Sequence, residues 1–140
     1  MSASRSFEGS SSCGAPISAI WEIWTNPAKW QGSVIQAAKI DRDFVVGAKI
    51  RTKVKGYPAS TSTVTHVDSP RIWVGVAKAP GLTMTYEHVI EPDDKGAVLT
   101  ERAILSGPFA GVAARLIGKR LESTFVATTA HCAHLAESLR

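Results

Sequence analysis

The sequence predicts an α+β fold in which a curved antiparallel sheet packs against one long C-terminal helix. Between Val34 and Ser106, apolar and polar residues alternate in short runs that are separated by turn sequences, a pattern typical of consecutive hairpins. After Ser106-Gly107-Pro108 the chain runs to Arg140 without another proline, and its apolar residues recur every three or four positions. That spacing indicates an amphipathic helix, with Pro108 in its first turn. The apolar residues form a stripe along one side of this helix. A single helix cannot bury the stripe alone, so the preceding residues must supply the surface on which it lies.

The stripe of the predicted helix is interrupted by polar side chains. Its apolar positions are Val112, Leu116/Ile117, Leu121, Phe125, Thr128, Cys132, Leu135 and Leu139. We expect Leu116/Ile117, Leu121 and Leu139 to pack on the sheet. Thr124, Thr128 and His131 lie along or beside the stripe, and they are the positions at which the helix would contact a ligand.

The first thirty residues predict one strand and a helical corner. Ser6–Cys13 is interpreted as a strand, although serine and glycine are poor strand formers. Ile17, Ile20, Trp21 and Trp24 follow Pro16 at helical spacing, which predicts a short amphipathic helix, and Pro27 to Trp30 adds one more helical turn. Trp21, Trp24 and Trp30 belong either to the core or to the rim of a cavity.

Six further strands are predicted from the alternation, and the side chains of three of them can be assigned to faces. The six are Val34–Ile40, Val46–Lys55, Ser60–Val67, Arg71–Lys78, Leu82–Glu91 and Ala97–Leu105. In Val46–Lys55 the inward residues are Ala48, Ile50, Thr52 and Val54, and the outward ones are Lys49, Arg51, Lys53 and Lys55. We expect this basic face to be solvated, because no aromatic residues separate its charges and no nucleic-acid motif accompanies it.

The last two strands bring ionisable groups to the inner face. The inward set is Leu82, Met84, Tyr86, His88 and Ile90 in one strand, and Ala97, Leu99, Glu101, Ala103 and Leu105 in the other. If the loop Glu91–Gly96 pairs Ile90 with Ala97, Tyr86 lies opposite Glu101 and His88 lies diagonal to it, within reach of a side chain.

Length and composition favour one soluble domain spanning residues 1–140. The chain is 44% hydrophobic and 20% charged with a net charge of +4, and no apolar run approaches the roughly 20 residues that cross a bilayer. The N-terminus has no apolar signal segment, so we expect a cytoplasmic protein without integral membrane contact. Cys13 and Cys132 are predicted to be buried thiols. His131-Cys132-x-His134 lacks a third ligand, so no metal is predicted.

Several turn and cap motifs resemble those of a known superfamily. Ala15-Pro16-x4-Trp21, Asn26-Pro27-x2-Trp30, Val46-Gly47, Val67-Asp68-Ser69-Pro70-Arg71-Ile72-Trp73, Glu91-Pro92…Gly96 and Ser106-Gly107-Pro108 are in the order and register of the SRPBCC (START and birch-pollen-allergen) helix-grip proteins, and are closest to the polyketide cyclase/dehydrase-like branch. The resemblance implies seven antiparallel strands around the C-terminal helix, two short helices after the first strand, and a ligand cavity between sheet and helix. The matching residues are scaffold residues, and this fold hosts many activities.

Three functional hypotheses follow. The first is a cavity that binds a small apolar or aromatic molecule, such as a polyketide, lipid or isoprenoid; its predicted contacts are Trp24, Trp30, Ile50, Thr52, Met84, Tyr86, His88, Leu99, Glu101, Leu121, Thr124 and Thr128. The second is a cyclase-like enzyme in which Glu101 is the general base, strengthened by desolvation, and Tyr86 and His88 polarise a carbonyl. The third is a protein-interaction or chaperone-activating domain, which requires an exposed apolar patch. No cofactor and no nucleic-acid partner are predicted, and a homodimer is left open.

Overall fold

The computed structural model describes residues 5–139, and its seven strands form one antiparallel sheet. The strands are β1 (Arg5–Cys13), β2 (Ile35–Ile40), β3 (Lys49–Val54), β4 (Ser60–Asp68), β5 (Ile72–Ala79), β6 (Leu82–Asp93) and β7 (Gly96–Ser106). Their order across the sheet is β1-β7-β6-β5-β4-β3-β2. Every connection from β2 to β7 is therefore a hairpin between neighbours, and only β1 pairs with a strand distant in sequence. The predicted meander and the α+β fold class are confirmed.

Two α-helices flank the sheet. Helix α1 (Ile17–Trp24) is followed by a three-residue 3-10 turn, Pro27–Lys29, and α2 (Ala110–Ser138) ends the described chain. The second short helix of the sequence analysis is thus a single 3-10 turn. Pro108 lies in the turn before α2 and not in its first turn, because Gly107 adopts a φ of +101° that interrupts regular structure. Arg140, the predicted end of the helix, lies outside the described residues.

The third strand is shorter than predicted. Val46 and Gly47 do not belong to it, because they form a turn in which Gly47 has a φ of +98°, outside the β region. The alternation after that point is as expected, with Ala48 and Ile50 buried and Lys49 and Arg51 exposed. Lys53 differs from the solvated lysines of this face, since its ammonium donates hydrogen bonds to the carbonyls of Val54 and Tyr57.

The β6–β7 hairpin has the predicted faces but a different register. Asp93 pairs with Gly96, so the turn is only two residues long, and His88 rather than Tyr86 lies opposite Glu101, while Tyr86 pairs with Ala103. The predicted register is wrong by two residues because both strands extend into the segment interpreted as a loop. A two-residue shift keeps every side chain on its face, so Glu101 still points inward. On the outer face, Arg102 bridges Glu8 and Glu87 on the neighbouring strands.

Helix α2 packs on β1, β7 and α1 through small residues as well as large ones. Its buried positions are Ala110, Gly118, Leu121, Phe125, Thr129, Cys132, Ala133 and Ala136. The predicted stripe is therefore wrong at Val112, Leu116 and Leu139, which are exposed. The helix approaches β1 so closely at Gly9 that a Cβ there would lie 2.6 Å from the backbone nitrogen of Val126. Of the alternatives Leu116 and Ile117, it is Ile117 that packs on the cluster containing Leu121 and Phe125.

The buried apolar residues form three clusters arranged around an internal space. One joins α1 and the C-terminal half of α2 to Ile90 and Leu99, a second joins Leu121 and Phe125 to Ala103 and Leu105, and a third surrounds Trp73 with Ala48, Ile50 and Val64. Both cysteines are buried, as predicted. The sheet curves around α2 without filling the volume between these clusters, and this volume is the candidate site.

Candidate functional site: a cavity between the sheet and helix α2

A cavity of about 360 Å³ lies between the inner face of the sheet and α2. Its wall is dominated by aromatic and aliphatic side chains, namely Ile23, Trp24, Trp30, Ile35, Val54, Tyr57, Trp73, Leu82, Met84, Tyr86, Ile117, Leu121 and Phe125. Cavities of this size and lining are typical of sites for small organic molecules. The wall residues differ in burial: Trp24, Trp73 and His88 are buried, whereas Tyr57 is half-buried and its neighbours Gly56 and Pro58 are exposed. We call the part of the cavity at Trp24, Trp73 and His88 the closed end and the part at Tyr57 the open end.

Ten of the twelve predicted ligand-contact residues lie on the cavity wall: Trp24, Trp30, Thr52, Met84, Tyr86, His88, Glu101, Leu121, Thr124 and Thr128. His131, the third polar interruption of the helix stripe, lines it too. Ile50 and Leu99 do not. Both point inward but are 1% and 0% exposed and pack in the core clusters, because the strands extend past the cavity on both sides. Trp21 likewise packs in the core and does not line the cavity.

The three predicted catalytic residues lie near one another, but a threonine of α2 is also part of the group. Glu101 Oε2 lies 3.4 Å from His88 Nε2, and the hydroxyl of Thr128 donates a 2.7 Å hydrogen bond to Glu101 Oε1. The side chains of His88 and Glu101 are 7% and 13% exposed. A carboxylate this buried requires such partners. The Thr128 bond ties the middle of α2 directly to the sheet.

Aromatic rings determine the orientation of His88. Its imidazole stacks on Trp73 with ring centroids 3.6 Å apart and meets the edge of Trp24 at 5.2 Å. Among the described residues, His88 Nδ1 and Trp73 Nε1 have no hydrogen-bond partner. Nε2 is the ring nitrogen that faces Glu101 Oε2, so the stacked imidazole places a polar group beside the carboxylate.

Tyr86 lies on the same face of β6 as His88, two residues away, and its hydroxyl donates to Met84 Sδ at 3.4 Å. Burial, with a smaller contribution from the negative charge of Glu101, raises the pKa of the Tyr86 phenol far above its usual value. Tyr86 therefore stays protonated in the folded protein and can donate a hydrogen bond, but it cannot serve as a base. Burial likewise raises the pKa of the Cys132 thiol, which makes that cysteine a poor nucleophile.

The open end of the cavity is bounded by a loop held against α2. The hydroxyl of Tyr57 lies 3.4 Å from that of Thr124. Arg120 stacks on the Tyr57 ring at 4.8 Å and donates a 2.9 Å hydrogen bond to the carbonyl of Gly56. The Arg120–Gly56 bond is exposed, whereas the Tyr57–Thr124 contact is part-buried, as the Thr128–Glu101 bond is.

Two important wall residues were not predicted from the sequence. Trp73 lies on β5, where Ile72, Val74 and Val76 make the opposite face equally apolar, so alternation gives no direction. Its only sequence signal is its position in the Val67–Trp73 motif. Tyr57 lies in a Gly-Tyr-Pro turn, where no periodicity assigns a side chain to either face.

No group of three or more potential metal ligands is found within residues 5–139. His131 faces the cavity with Nε2 lying 3.3 Å from the carbonyl of Lys29, whereas His134 is exposed. Within the same residues, neither helix is long and apolar enough to cross a bilayer.

Fold and cavity together define a helix-grip protein, and solved structures with the same fold support this assignment. The chain is similar to a norcoclaurine synthase point mutant from Thalictrum flavum in complex with a transition-state analogue, with a TM-score of 0.77 and 13% identity over 99% of this chain and 98% of that one. It is also similar to Ara h 8.0201, with a TM-score of 0.63 and 12% identity over 93% and 98% of the two chains. DynU16, from the dynemicin biosynthetic locus, matches with a TM-score of 0.71 and 17% identity over 96% of this chain and 48% of that one.

These likenesses confirm the helix-grip fold that the resemblance implied. At such identities they carry no activity over to this chain. No protein-family model matches the sequence, and no curated protein resembles it in sequence. The function therefore has to be inferred from the cavity itself.

Proposed function

We propose that the protein binds a small apolar or aromatic molecule in the cavity between the sheet and α2. The observation that carries this proposal is a space of about 360 Å³ whose wall is mainly aromatic and aliphatic and contains one organised polar group. Leaving such a surface to water is unfavourable, and an apolar ligand that displaces the water gains about 25 cal/mol for each Å² removed from solvent.

The polar group at the closed end supplies orientation. A carboxylate has about four lone-pair sites, and Glu101 has one bond from Thr128 and one contact with His88. A ligand hydroxyl or amine that reaches the closed end can donate to the remaining sites. The preferred ligand is thus apolar along most of its length and carries a hydrogen-bond donor at the end that enters first.

Filling the cavity tests this proposal. Leu121 lines the cavity, whereas Leu116 on the same helix is 72% exposed. Leu121→Trp should abolish binding of the apolar fluorophore N-phenyl-1-naphthylamine, while Leu116→Trp, the matched control, should bind it as the wild type does. Fluorescence titration measures both affinities. Equal affinity in the two variants would place the ligand elsewhere and contradict the proposal.

A cyclase-like enzyme is the second candidate, and the placement of Glu101 on the cavity wall favours it. Glu101 presents a carboxylate to the cavity, and a carboxylate within reach of a substrate proton can act as a general base. It would remove an acidic proton from the carbon between two carbonyls of a poly-β-keto substrate, and the Tyr86 hydroxyl and His88 Nε2–H would stabilise the resulting enolate oxygen.

Glu101→Gln separates catalysis from binding. If Glu101 is the base, the variant should lose at least about a hundredfold in kcat on a poly-β-keto substrate, yet bind N-phenyl-1-naphthylamine within a few-fold of wild type. Full turnover by the variant would exclude Glu101 as the base and leave the binding function unaffected.

A further inference from the structure

A second concavity adjoins the open end of the cavity. It measures about 310 Å³ and is lined by Lys55, Tyr57, Lys119, Arg120, Ser123 and Thr124. We refer to it as the basic vestibule. Tyr57 and Thr124 also line the main cavity, so the two spaces meet at the Tyr57–Thr124 contact. A ligand that reaches from the main cavity into the basic vestibule has to part the Tyr57 and Thr124 hydroxyls, which lie 3.4 Å from each other.

The charges of the basic vestibule are uncompensated. Three of its six lining residues are cationic and none is acidic. The salt bridges of the described chain involve Arg42, His88 and Arg102. None of them involves the vestibule cations Lys55, Lys119 and Arg120. Arg102 is instead held between two glutamates on the outer face of the sheet. A concave surface that carries only positive charges attracts anions and raises their local concentration.

The donors of the basic vestibule are suited to an oxyanion. Arg120 is positioned by the Tyr57 ring and by its bond to the Gly56 carbonyl, a bond that uses only one of the five N–H groups of a guanidinium. Arginine binds carboxylate and phosphate oxygens through paired N–H groups. The side chains of Ser123 and Thr124 add hydroxyl donors beside it.

We propose that the basic vestibule binds the anionic end of an amphipathic ligand, a carboxylate or a phosphate, whose apolar body fills the main cavity. This inference rests on the proposed binding function and specifies its ligand class. The orientation follows from charge, because the Glu101 carboxylate repels an anion at the closed end while the three cations attract it at the open end. Arg120 and Thr128 are eight residues apart on α2, about 12 Å along the helix axis, which sets the approximate length of the ligand.

Two fluorophores that differ only in their charged group test the proposal. 8-Anilino-1-naphthalenesulfonate has the same rings as N-phenyl-1-naphthylamine plus a sulfonate oxyanion. In the variant Lys55→Gln/Lys119→Gln the affinity for the sulfonate probe should fall about fivefold, as expected for the loss of two partly screened ion pairs. The affinity for the uncharged probe should not change. Arg120 is kept in this variant so that the loop stays attached to α2.

The matched control removes two lysines from outside both concavities. Lys39 on β2 and Lys49 on β3 are exposed and line neither space. Lys39→Gln/Lys49→Gln lowers the net charge equally and should bind both probes as the wild type does. An equal loss of sulfonate affinity in the two double variants would show an effect of net charge alone and overturn the proposal. A parallel loss of both probes in Lys55→Gln/Lys119→Gln would show damage to the cavity and overturn it too.

Competition experiments identify the oxyanion. Decanoate and decyl phosphate should each displace the sulfonate probe at lower concentration than decanol does, and the better competitor names the preferred head group. Equal competition by decanol would contradict the proposal. The proposal would also be contradicted if Lys55→Gln/Lys119→Gln kept its affinity for the sulfonate probe but lost binding to vesicles of phosphatidylcholine and phosphatidylserine. The lysines would then serve a membrane surface.

Different results would disprove the binding function and the anionic ligand class. If the wild type binds neither fluorophore, or if Leu121→Trp leaves binding intact, the proposed function itself is wrong. If the uncharged probe binds in a manner that Leu121→Trp abolishes, but the vestibule lysines have no effect on the sulfonate probe, only the anionic ligand class is wrong.

Discussion

The two ends of the cavity use similar residues under different physical conditions. At the closed end, the hydroxyl of Thr128 binds Glu101 at 2.7 Å and His88 stacks on Trp73. At the open end, one helical turn away, the hydroxyl of Thr124 lies 3.4 Å from that of Tyr57, and Arg120 covers the Tyr57 ring. At each end, a threonine of α2 contacts a polar group. At each end, too, an aromatic ring lies against a second planar group.

The difference lies in what surrounds these contacts. The closed end is enclosed by core clusters on both sides, so its polar groups hold one geometry and are costly to disturb. The open end depends on a loop and a partly exposed cation, and such regions open at a lower free energy than the core does. We infer that the closed end determines which ligand group is accepted and that the open end admits the ligand.

Removing the aromatic ring at each end should have the largest effect and should show the contrast directly. Trp73→Ala deletes the ring that contacts His88, Trp30 and Phe44, and should lower the free energy of unfolding by about 3–5 kcal/mol. Tyr57→Ala should cost only about 1–2 kcal/mol, since its cation–π contact is partly exposed. Urea denaturation measures both values. Similar losses in the two variants would contradict the distinction between a rigid and an adaptable end.

Replacing either of two threonines of α2, which lie one helical turn apart, by valine should have an intermediate effect on the free energy of unfolding. Thr128→Val removes the hydrogen bond to a buried carboxylate and should cost about 1–2 kcal/mol. Thr124→Val, its matched control on the same helix, removes only the 3.4 Å contact with Tyr57 and should cost less than about 0.5 kcal/mol. Chemical denaturation again provides the measurement. The reverse order would show that the Tyr57–Thr124 contact, rather than the Thr128–Glu101 bond, holds α2 to the sheet.

The smallest effect concerns the pH dependence that burial imposes on Tyr86. Because burial raises the pKa of Tyr86 in the folded state above the value of about 10 that an exposed tyrosine has, the unfolded chain loses this proton first as the pH rises. The contribution of protonated Tyr86 to the free energy of unfolding is therefore fully present below pH 10. Above pH 10 it declines, by at most about 1.4 kcal/mol for each pH unit.

Tyr86→Phe should show a shallower decline than wild type when unfolding free energies are compared above pH 10. A direct control uses absorbance at 295 nm in Tyr57→Phe, where Tyr86 is the remaining tyrosine of the two. Its phenol should ionise only when the protein unfolds. Ionisation near pH 10 in the folded variant would show that Tyr86 is solvated.

Local patterns explain why much of the fold and most of the wall were predictable. Alternation placed Met84, Tyr86, His88 and Glu101 on the inner face, and this result was unaffected by the incorrect register because a two-residue shift does not change faces. The pairing partner of Glu101 was not predictable, because it depends on the length of the β6–β7 turn. Leu116 is exposed whereas Ile117 packs on the Leu121–Phe125 cluster, a choice between adjacent positions that helical periodicity left open.

By itself, the sequence determined the order of the strands and helices, the inner face of β6 and β7, and the threonines that interrupt the apolar stripe of α2. These properties follow from periodicity and turn residues, which act over a few neighbouring positions. The tertiary structure decided the stacking of Trp73 on His88, the Thr128–Glu101 bond, and the meeting of the cavity with the basic vestibule at Tyr57 and Thr124. Each of these joins elements distant in the chain, and only the curvature of the whole sheet around α2 brings them together.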